Sequence, residues 1–104
     1  MADFVKLANV NDIPTNEVRS YEHGGKKIAI YNHNGSFYAT ANICTHAYAK
    51  LHEGFFDPDD CSIECPLHGA RFNVETGAVM ALPAYAPLEV YPLQIDGDDI
   101  LVGL

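Results

Sequence analysis

Cys44-Thr45-His46 and Cys65-Pro66-Leu67-His68 decide the fold of this chain, and eighteen residues separate His46 from Cys65. Each stretch, called here the first and the second knuckle, offers one thiolate and one imidazole. Zinc sites usually group cysteine with cysteine and histidine with histidine, whereas both knuckles here are mixed. Mixed knuckles suit a two-iron cluster, because each loop can give one ligand to each iron. The sequence therefore predicts that Cys44, His46, Cys65 and His68 bind the metal.

The longer pattern resembles the Rieske iron-sulfur family. After the C-x-H and C-x-x-H knuckles it continues with Gly69-Ala70-Arg71-Phe72 and then Thr76-Gly77. With this extended motif the chain is similar to the small ferredoxins that serve bacterial aromatic-ring-hydroxylating dioxygenases. The likeness covers nearly the whole chain. The resemblance implies one Rieske-type 2Fe-2S cluster, with two cysteines on one iron and two histidines on the other.

The same resemblance implies an electron carrier without substrate chemistry of its own. Its expected partners are a flavoprotein ferredoxin reductase, which takes electrons from NAD(P)H, and the terminal Rieske oxygenase. Three alternatives stay open. Within the family, the chain could be the small subunit of an assimilatory nitrite reductase. Outside it, the knuckles could form a structural zinc module for protein interaction, or Cys44 or Cys65 could be a hydrolase nucleophile beside a histidine.

Short apolar stretches alternate with turn residues along the chain, which predicts an all-β barrel or sandwich. Asn34-Gly35 is the strongest hairpin signal, because both residues tolerate positive φ. A helical turn is expected over residues 47–51, and a surface loop from Gly54 through residues 57–60. The expected strands are residues 4–7, 18–21, 27–31, 36–41, 62–64, 71–74, 88–95 and 100–102.

A chain of 104 residues is expected to form a single domain, residues 1–104. The resemblance implies a β-barrel or sandwich base with a small inserted cluster-binding subdomain, about residues 42–83. It also implies a third loop that covers the cluster, which would contain Pro83 and Tyr85.

Six basic residues against fourteen acidic ones give a formal charge of −8. This charge argues against nucleic acid and against an anionic membrane, and favours a basic protein partner. No apolar run approaches the roughly 20 residues that span a bilayer, and Met1-Ala2-Asp3 opens without a signal-like stretch. We therefore expect a cytoplasmic protein. The carrier that the resemblance implies is expected to be a monomer.

Three cysteines without a secretion signal do not indicate a disulfide framework. Cys61 is the one outside the knuckles. In a strand its α-carbon would lie roughly 13 Å from that of Cys65, beyond the ~7 Å limit for a disulfide. It is predicted to be a small buried side chain. His23, His33 and His52 have no cysteine at ligand spacing and are predicted to be ordinary surface or core residues.

The potential of the cluster is expected to be low. Respiratory Rieske proteins carry an extra cysteine in each knuckle and hydroxyl groups after the second, and the corresponding positions here lack those groups. Fewer hydrogen bonds to the sulfurs leave the charge of the reduced cluster less stabilised, so the midpoint should lie near the bottom of the family range. Leu67 is also expected to shield the cluster from water. The four positions that lack the cysteines and hydroxyl groups of the respiratory proteins are Ala49, Leu67, Ala70 and Phe72.

Overall fold

The computed structural model describes residues 3–45, 49–67, 69–82 and 86–104, which contain eleven strands in three antiparallel sheets. Two 3₁₀ turns, Val10–Asp12 and Leu51–Glu53, complete the regular structure of these residues. None of the helical segments in this part of the chain is long and apolar enough to cross a membrane. The strands are β1 (Phe4–Asn9), β2 (Val18–His23), β3 (Lys26–His33), β4 (Ser36–Ala41), β5 (Phe55–Asp57), β6 (Ser62–Glu64), β7 (Arg71–Asn73), β8 (Val79–Ala81), β9 (Val90–Tyr91), β10 (Leu93–Asp96) and β11 (Asp99–Gly103).

The sheets confirm the all-β prediction. The strand orders are β1-β11-β10 in the first sheet, β2-β3-β4-β9 in the second and β5-β6-β7-β8 in the third. The third sheet is formed entirely by residues between β4 and β9, within the 42–83 segment predicted from the sequence to be an insertion. The division into a base and a subdomain remains a prediction.

The second sheet is the middle layer, and β3 shows why. Ile28, Ala29, Ile30 and Tyr31 are all fully buried, although successive side chains on a strand point to opposite faces. Ile28 and Ile30 join a core shared with the first sheet, called here the base core. Ala29 and Tyr31 join a second core shared with the third sheet, called here the knuckle core. A strand buried on both faces explains this continuous apolar run.

Aromatic contacts link the middle sheet to the third sheet. The Tyr31 ring lies 5.5 Å from that of Phe56 in β5, and the His33 ring meets the same phenyl edge-on at 6.1 Å. His33 also places Nε2 2.7 Å from the carbonyl oxygen of Pro58. The Tyr31 hydroxyl bonds to Thr40 at 2.9 Å, and burial raises the pKa of this phenol. The third sheet is therefore docked on the middle sheet through β3.

The predicted hairpin at Asn34-Gly35 is confirmed. His33 pairs with Ser36 across a two-residue turn, with φ of 53° at Asn34 and 92° at Gly35. This hairpin sets the register of β3 against β4, and β4 leads the chain to the first knuckle.

Two predictions between the knuckles were only partly right. Residues 58–60 form a turn as expected, but the predicted surface loop also contains β5, which pairs with β6 from Phe55↔Glu64 to Asp57↔Ser62. The helical turn expected over 47–51 begins only at Leu51, because Lys50 forms an extended bridge with Ile43. Residues 47 and 48 of that prediction lie outside the described residues.

Beyond the second knuckle, β8 was not predicted, and residues 88–95 do not form one strand. Pro92 separates β9 from β10, and the two strands join different sheets. Proline cannot donate to a ladder, so the chain leaves one sheet and enters the other there. The closing hairpin of β10 and β11 is confirmed, with Asp96 opposite Asp99.

Candidate metal centre

Each knuckle begins at the end of a short antiparallel pairing. Ile43 bridges Lys50 below the first knuckle, and Glu64 pairs with Arg71 below the second. The cysteine that follows then donates its backbone N–H to the residue five positions later. Cys44 bonds to the Ala49 carbonyl at 2.9 Å, and Cys65 bonds to the Ala70 carbonyl at 2.7 Å. The two predicted ligand loops are thus six-residue loops of matching closure, 44–49 and 65–70.

Both predicted cysteine ligands are buried in the knuckle core. Cys44 is 4% exposed and Cys65 is 1% exposed. Two soft thiol donors shielded from water fit an iron-sulfur cluster, because iron-sulfur iron prefers thiolate. The predicted histidine ligands His46 and His68 lie outside the described residues, as do Pro83 and Tyr85. Among the residues that are described, no three His, Cys, Asp or Glu side chains form a metal-binding group.

Asn42 holds the base of the first knuckle. Its backbone carbonyl accepts from the N–H of Leu51 at 2.7 Å, and its side-chain Oδ1 accepts from the N–H of His52 at 2.9 Å. Its Nδ2 lies 2.9 Å from Nδ1 of His52. Because Oδ1 is occupied as an acceptor, Nδ2 is the donor and the imidazole nitrogen accepts. His52 therefore stabilises the base of the first knuckle through Asn42. Its spacing in the sequence did not predict this role.

Arg71 holds the base of the second knuckle. Its Nη2 donates to Asp60 at 2.5 Å and to Ser62 at 2.8 Å, with Asp57 3.7 Å away. The Ser62 hydroxyl, fully buried, donates to Asp60. This bond, together with the Arg71 guanidinium, holds the pKa of the Asp60 carboxyl below its usual value. The network fixes the turn before β6 against β7, the strand that leaves the knuckle.

A third segment, which the structure describes from Ala86 onwards, approaches the first knuckle. The Thr45 hydroxyl donates to the Ala86 carbonyl at 2.8 Å. Leu88 donates its N–H to the Gly77 carbonyl at 2.8 Å. Gly77 has a φ of +80°, and a Cβ there would lie 2.1 Å from the Leu88 carbonyl oxygen. Glycine is therefore needed at this position both for its backbone conformation and for the close approach of the third segment.

The positions expected to lack hydrogen-bonding groups are mostly buried. Ala49, Ala70 and Phe72 are in the knuckle core, whereas Leu67 is 58% exposed. The low potential that these residues imply stays a prediction, and so does the shielding role of Leu67.

Cys61 differs from its prediction. Its side chain is a free thiol that is only half-buried, at the edge of the knuckle core. Its φ of 56° closes the turn before β6, which starts one residue later at Ser62. The assumption that residue 61 belongs to a strand was therefore wrong.

A comparison with known families adds to the two closed loops and their buried cysteines. Residues 3–92 match the Rieske [2Fe-2S] domain. This chain belongs to that family. As a Rieske protein it has one Rieske-type 2Fe-2S cluster, and the chemistry of its two described thiols fits that group.

Similar Rieske proteins include ferredoxins of dioxygenase systems. The chain is 41% identical over 99 residues to the biphenyl dioxygenase ferredoxin subunit of Pseudomonas sp. (strain KKS102), which covers 95% of this chain and 90% of that protein. The ferredoxin of carbazole 1,9a-dioxygenase from Nocardioides aromaticivorans IC177 superposes with a TM-score of 0.93 at 36% identity, over 97% of both chains. A structure described as a complex of reduced oxygenase and oxidised ferredoxin in carbazole 1,9a-dioxygenase matches with a TM-score of 0.90 at 35% identity. This match covers 96% of the present chain and 92% of the matched chain in that complex.

Proposed function

We propose that Cys44 and Cys65 bind one iron of the cluster and that His46 and His68 bind the other. The observation that carries this assignment is the matched pair of loops, each of which begins with a buried cysteine whose N–H closes the loop. Each loop carries a histidine two or three positions after its cysteine. One loop can therefore supply one ligand to each iron, as the mixed order of the knuckles requires.

The chain acts as a one-electron carrier in a multicomponent aromatic-ring-hydroxylating dioxygenase. It accepts electrons from an NAD(P)H-dependent flavoprotein reductase and delivers them to the terminal oxygenase. Its relatives named as ferredoxin subunits and the related ferredoxin found in complex with an oxygenase support this assignment. The chain itself transforms no substrate. We place the carrier in the cytoplasm, where disulfides are rare, because two of its three cysteines are the proposed ligands and no disulfide framework is left.

When bound, the cluster takes up and releases one electron. The protein residues set the conditions for this exchange. Cys44 and Cys65 are kept from water in the knuckle core, while Leu67, next to His68, exposes an apolar side chain at the second knuckle. Leu67 thus gives the second knuckle an apolar surface for docking. The net charge of −8 speeds encounters with basic partners, by roughly 10- to 10³-fold at low salt.

The midpoint potential lies near the low end of the Rieske range, about −150 mV. Alanine side chains at positions 49 and 70 and a phenyl at position 72 offer no donor to a sulfur atom.

Metal analysis and electron transfer test this function together. Protein made with ample iron is expected to contain two irons and two acid-labile sulfides per chain. Its reduced form should give a rhombic EPR signal, and it should support product formation when mixed with a reductase and a dioxygenase oxygenase. His68→Cys should lower the potential or destroy the cluster. Zinc in place of iron and sulfide would refute the carrier function, and an unchanged midpoint in His68→Cys would refute the ligand assignment.

A further inference from the structure

Gly54 lies between the 3₁₀ turn Leu51–Glu53 and β5, where the chain passes from one knuckle towards the other. Its φ of −87° and ψ of −156° are open to any residue, so the backbone conformation does not require glycine. The limited space around Gly54 does require glycine. A Cβ at this position would lie 1.9 Å from the carbonyl oxygen of Glu64 and 3.2 Å from Cδ of Pro66. The two backbones thus meet more closely than any side chain allows.

One side of this contact leads to the first knuckle. Gly54 donates its N–H to the Leu51 carbonyl at 2.9 Å, which closes the 3₁₀ turn. That turn holds Asn42 through Leu51 and through both the N–H and the ring of His52. Asn42 stands two residues before Cys44. A displacement of the turn is therefore transmitted to the base of the first knuckle.

The other side leads to the second knuckle. Glu64 pairs with Phe55 on one side and with Arg71 on the other, so its carbonyl is fixed in the middle of the third sheet. Cys65 follows it directly and closes the second loop. A group inserted against the Glu64 carbonyl would therefore push on the base of the second knuckle.

We propose that Gly54 is a positioning residue that sets the separation of the two knuckles, with the Asn42–His52 pair as the link on the side of the first knuckle. This inference rests on the ligand assignment proposed above. The tightest contact, with the Glu64 carbonyl, joins the segments on which the two loops stand, and the contact with Pro66 reaches the second loop itself. Its effect is on the cluster environment, since two irons shared between two loops require a fixed spacing of those loops.

Gly54→Ala tests the inference, with Gly97→Ala as its matched control. Gly97 lies in the β10–β11 turn with a φ of +62° and open space around its Cβ position, so alanine there strains the backbone without touching a knuckle. Iron, sulfide, EPR g values and midpoint potential are measured in the iron-loaded proteins, with circular dichroism to follow the fold. Gly54→Ala should lose most of its iron and sulfide, or shift its g values and midpoint. Gly97→Ala should keep the wild-type spectrum, even if its melting temperature falls.

A second pair of variants applies if Gly54→Ala does not fold. His52→Phe keeps a ring but removes the nitrogen that accepts from Asn42, whereas His52→Asn can offer an oxygen near the same place. The phenylalanine variant should shift the g values and the midpoint, and the asparagine variant should restore them.

Wild-type iron content, g values and midpoint in Gly54→Ala, or in His52→Phe where the alanine variant does not fold, would overturn the inference. So would a shift in Gly97→Ala as large as that in Gly54→Ala. Absence of iron and sulfide from the wild-type protein would instead overturn the proposed function, so the two failures are distinguishable.

Discussion

Thr45→Val should speed the loss of iron from the protein. It removes the hydroxyl that bonds to Ala86 at 2.8 Å and keeps the shape of the side chain. A hydrogen bond of this kind contributes about 0.5–1.5 kcal/mol net. Its loss raises the fraction of molecules in which the third segment is detached from the first knuckle by roughly 2- to 12-fold. If iron leaves through this opened form, and opening is fast, its rate of loss rises by the same factor.

The assay follows the visible absorbance of the oxidised protein after addition of an iron chelator. Thr45→Ser keeps the hydroxyl and should lose iron at the wild-type rate. Thr15→Val changes an exposed threonine in the turn before β2 and should also behave as wild type. Equal rates for Thr45→Val and wild type would refute the idea that this bond holds the third segment against the first knuckle and slows the loss of iron. Equal rates for Thr45→Ser and Thr45→Val would show that the hydroxyl is not responsible.

Three further predictions follow from the described contacts. Ser62→Ala removes a buried hydroxyl that bonds to both Asp60 and Arg71, and should lower the unfolding free energy by about 1 kcal/mol and the thermal midpoint by about 4–8 °C. Glu89→Gln should lower the pKa of Tyr91 from about 12, because the carboxylate charge disfavours the tyrosinate, yet leave it above 10.0 since burial is the larger cause. Raising the salt from 0.1 to 1 M shortens the Debye length from about 10 to 3 Å and should slow reduction of the oxygenase.

Each of these three predictions has a control or an outcome that would contradict it. Ser20→Ala, at an exposed serine of β2, should leave the thermal midpoint unchanged, and a drop equal to that of Ser62→Ala would contradict the role of the network. The pKa of Tyr91 is read from the ultraviolet absorbance of tyrosinate, with Tyr91→Phe to identify its share. A rise in that pKa in Glu89→Gln would show that the charge acts in the opposite sense. A reduction rate that is independent of salt would exclude electrostatic steering.

Much of the fold could be predicted because its signals are local. Asn34-Gly35 specifies its own turn, and the apolar run 28–31 identifies a buried strand without reference to any partner. By contrast, β5 and β8 are the short edge strands of the third sheet, and each depends on pairing with one neighbouring strand. Phe55-Phe56 was the available signal for β5, and the acidic turn that follows obscured it.

In the candidate site, too, the features with a local sequence signal could be predicted and those that depend on long-range contacts could not. The cysteines could be found from their spacing to the histidines, and the burial of Cys44 and Cys65 agrees with their predicted role. The groups that hold the knuckles could not be found, because Asn42 and His52 are ten residues apart and meet only after the loop closes. The sequence around Gly54 also gave no indication that this residue has a positioning role. Its importance comes from the proximity of Glu64, which is a property of the folded chain.

The presence of two separate cores has a consequence for the synthesis of this protein. Cys44 and Cys65 are part of the packing of the knuckle core, whereas the base core contains neither residue. In a cell short of iron, we expect newly made chains to complete the base core first and to leave the knuckle core loosely packed. Proteases would then cut between residues 42 and 83 before they cut elsewhere. The abundance of the carrier would therefore follow the supply of iron without any change in transcription.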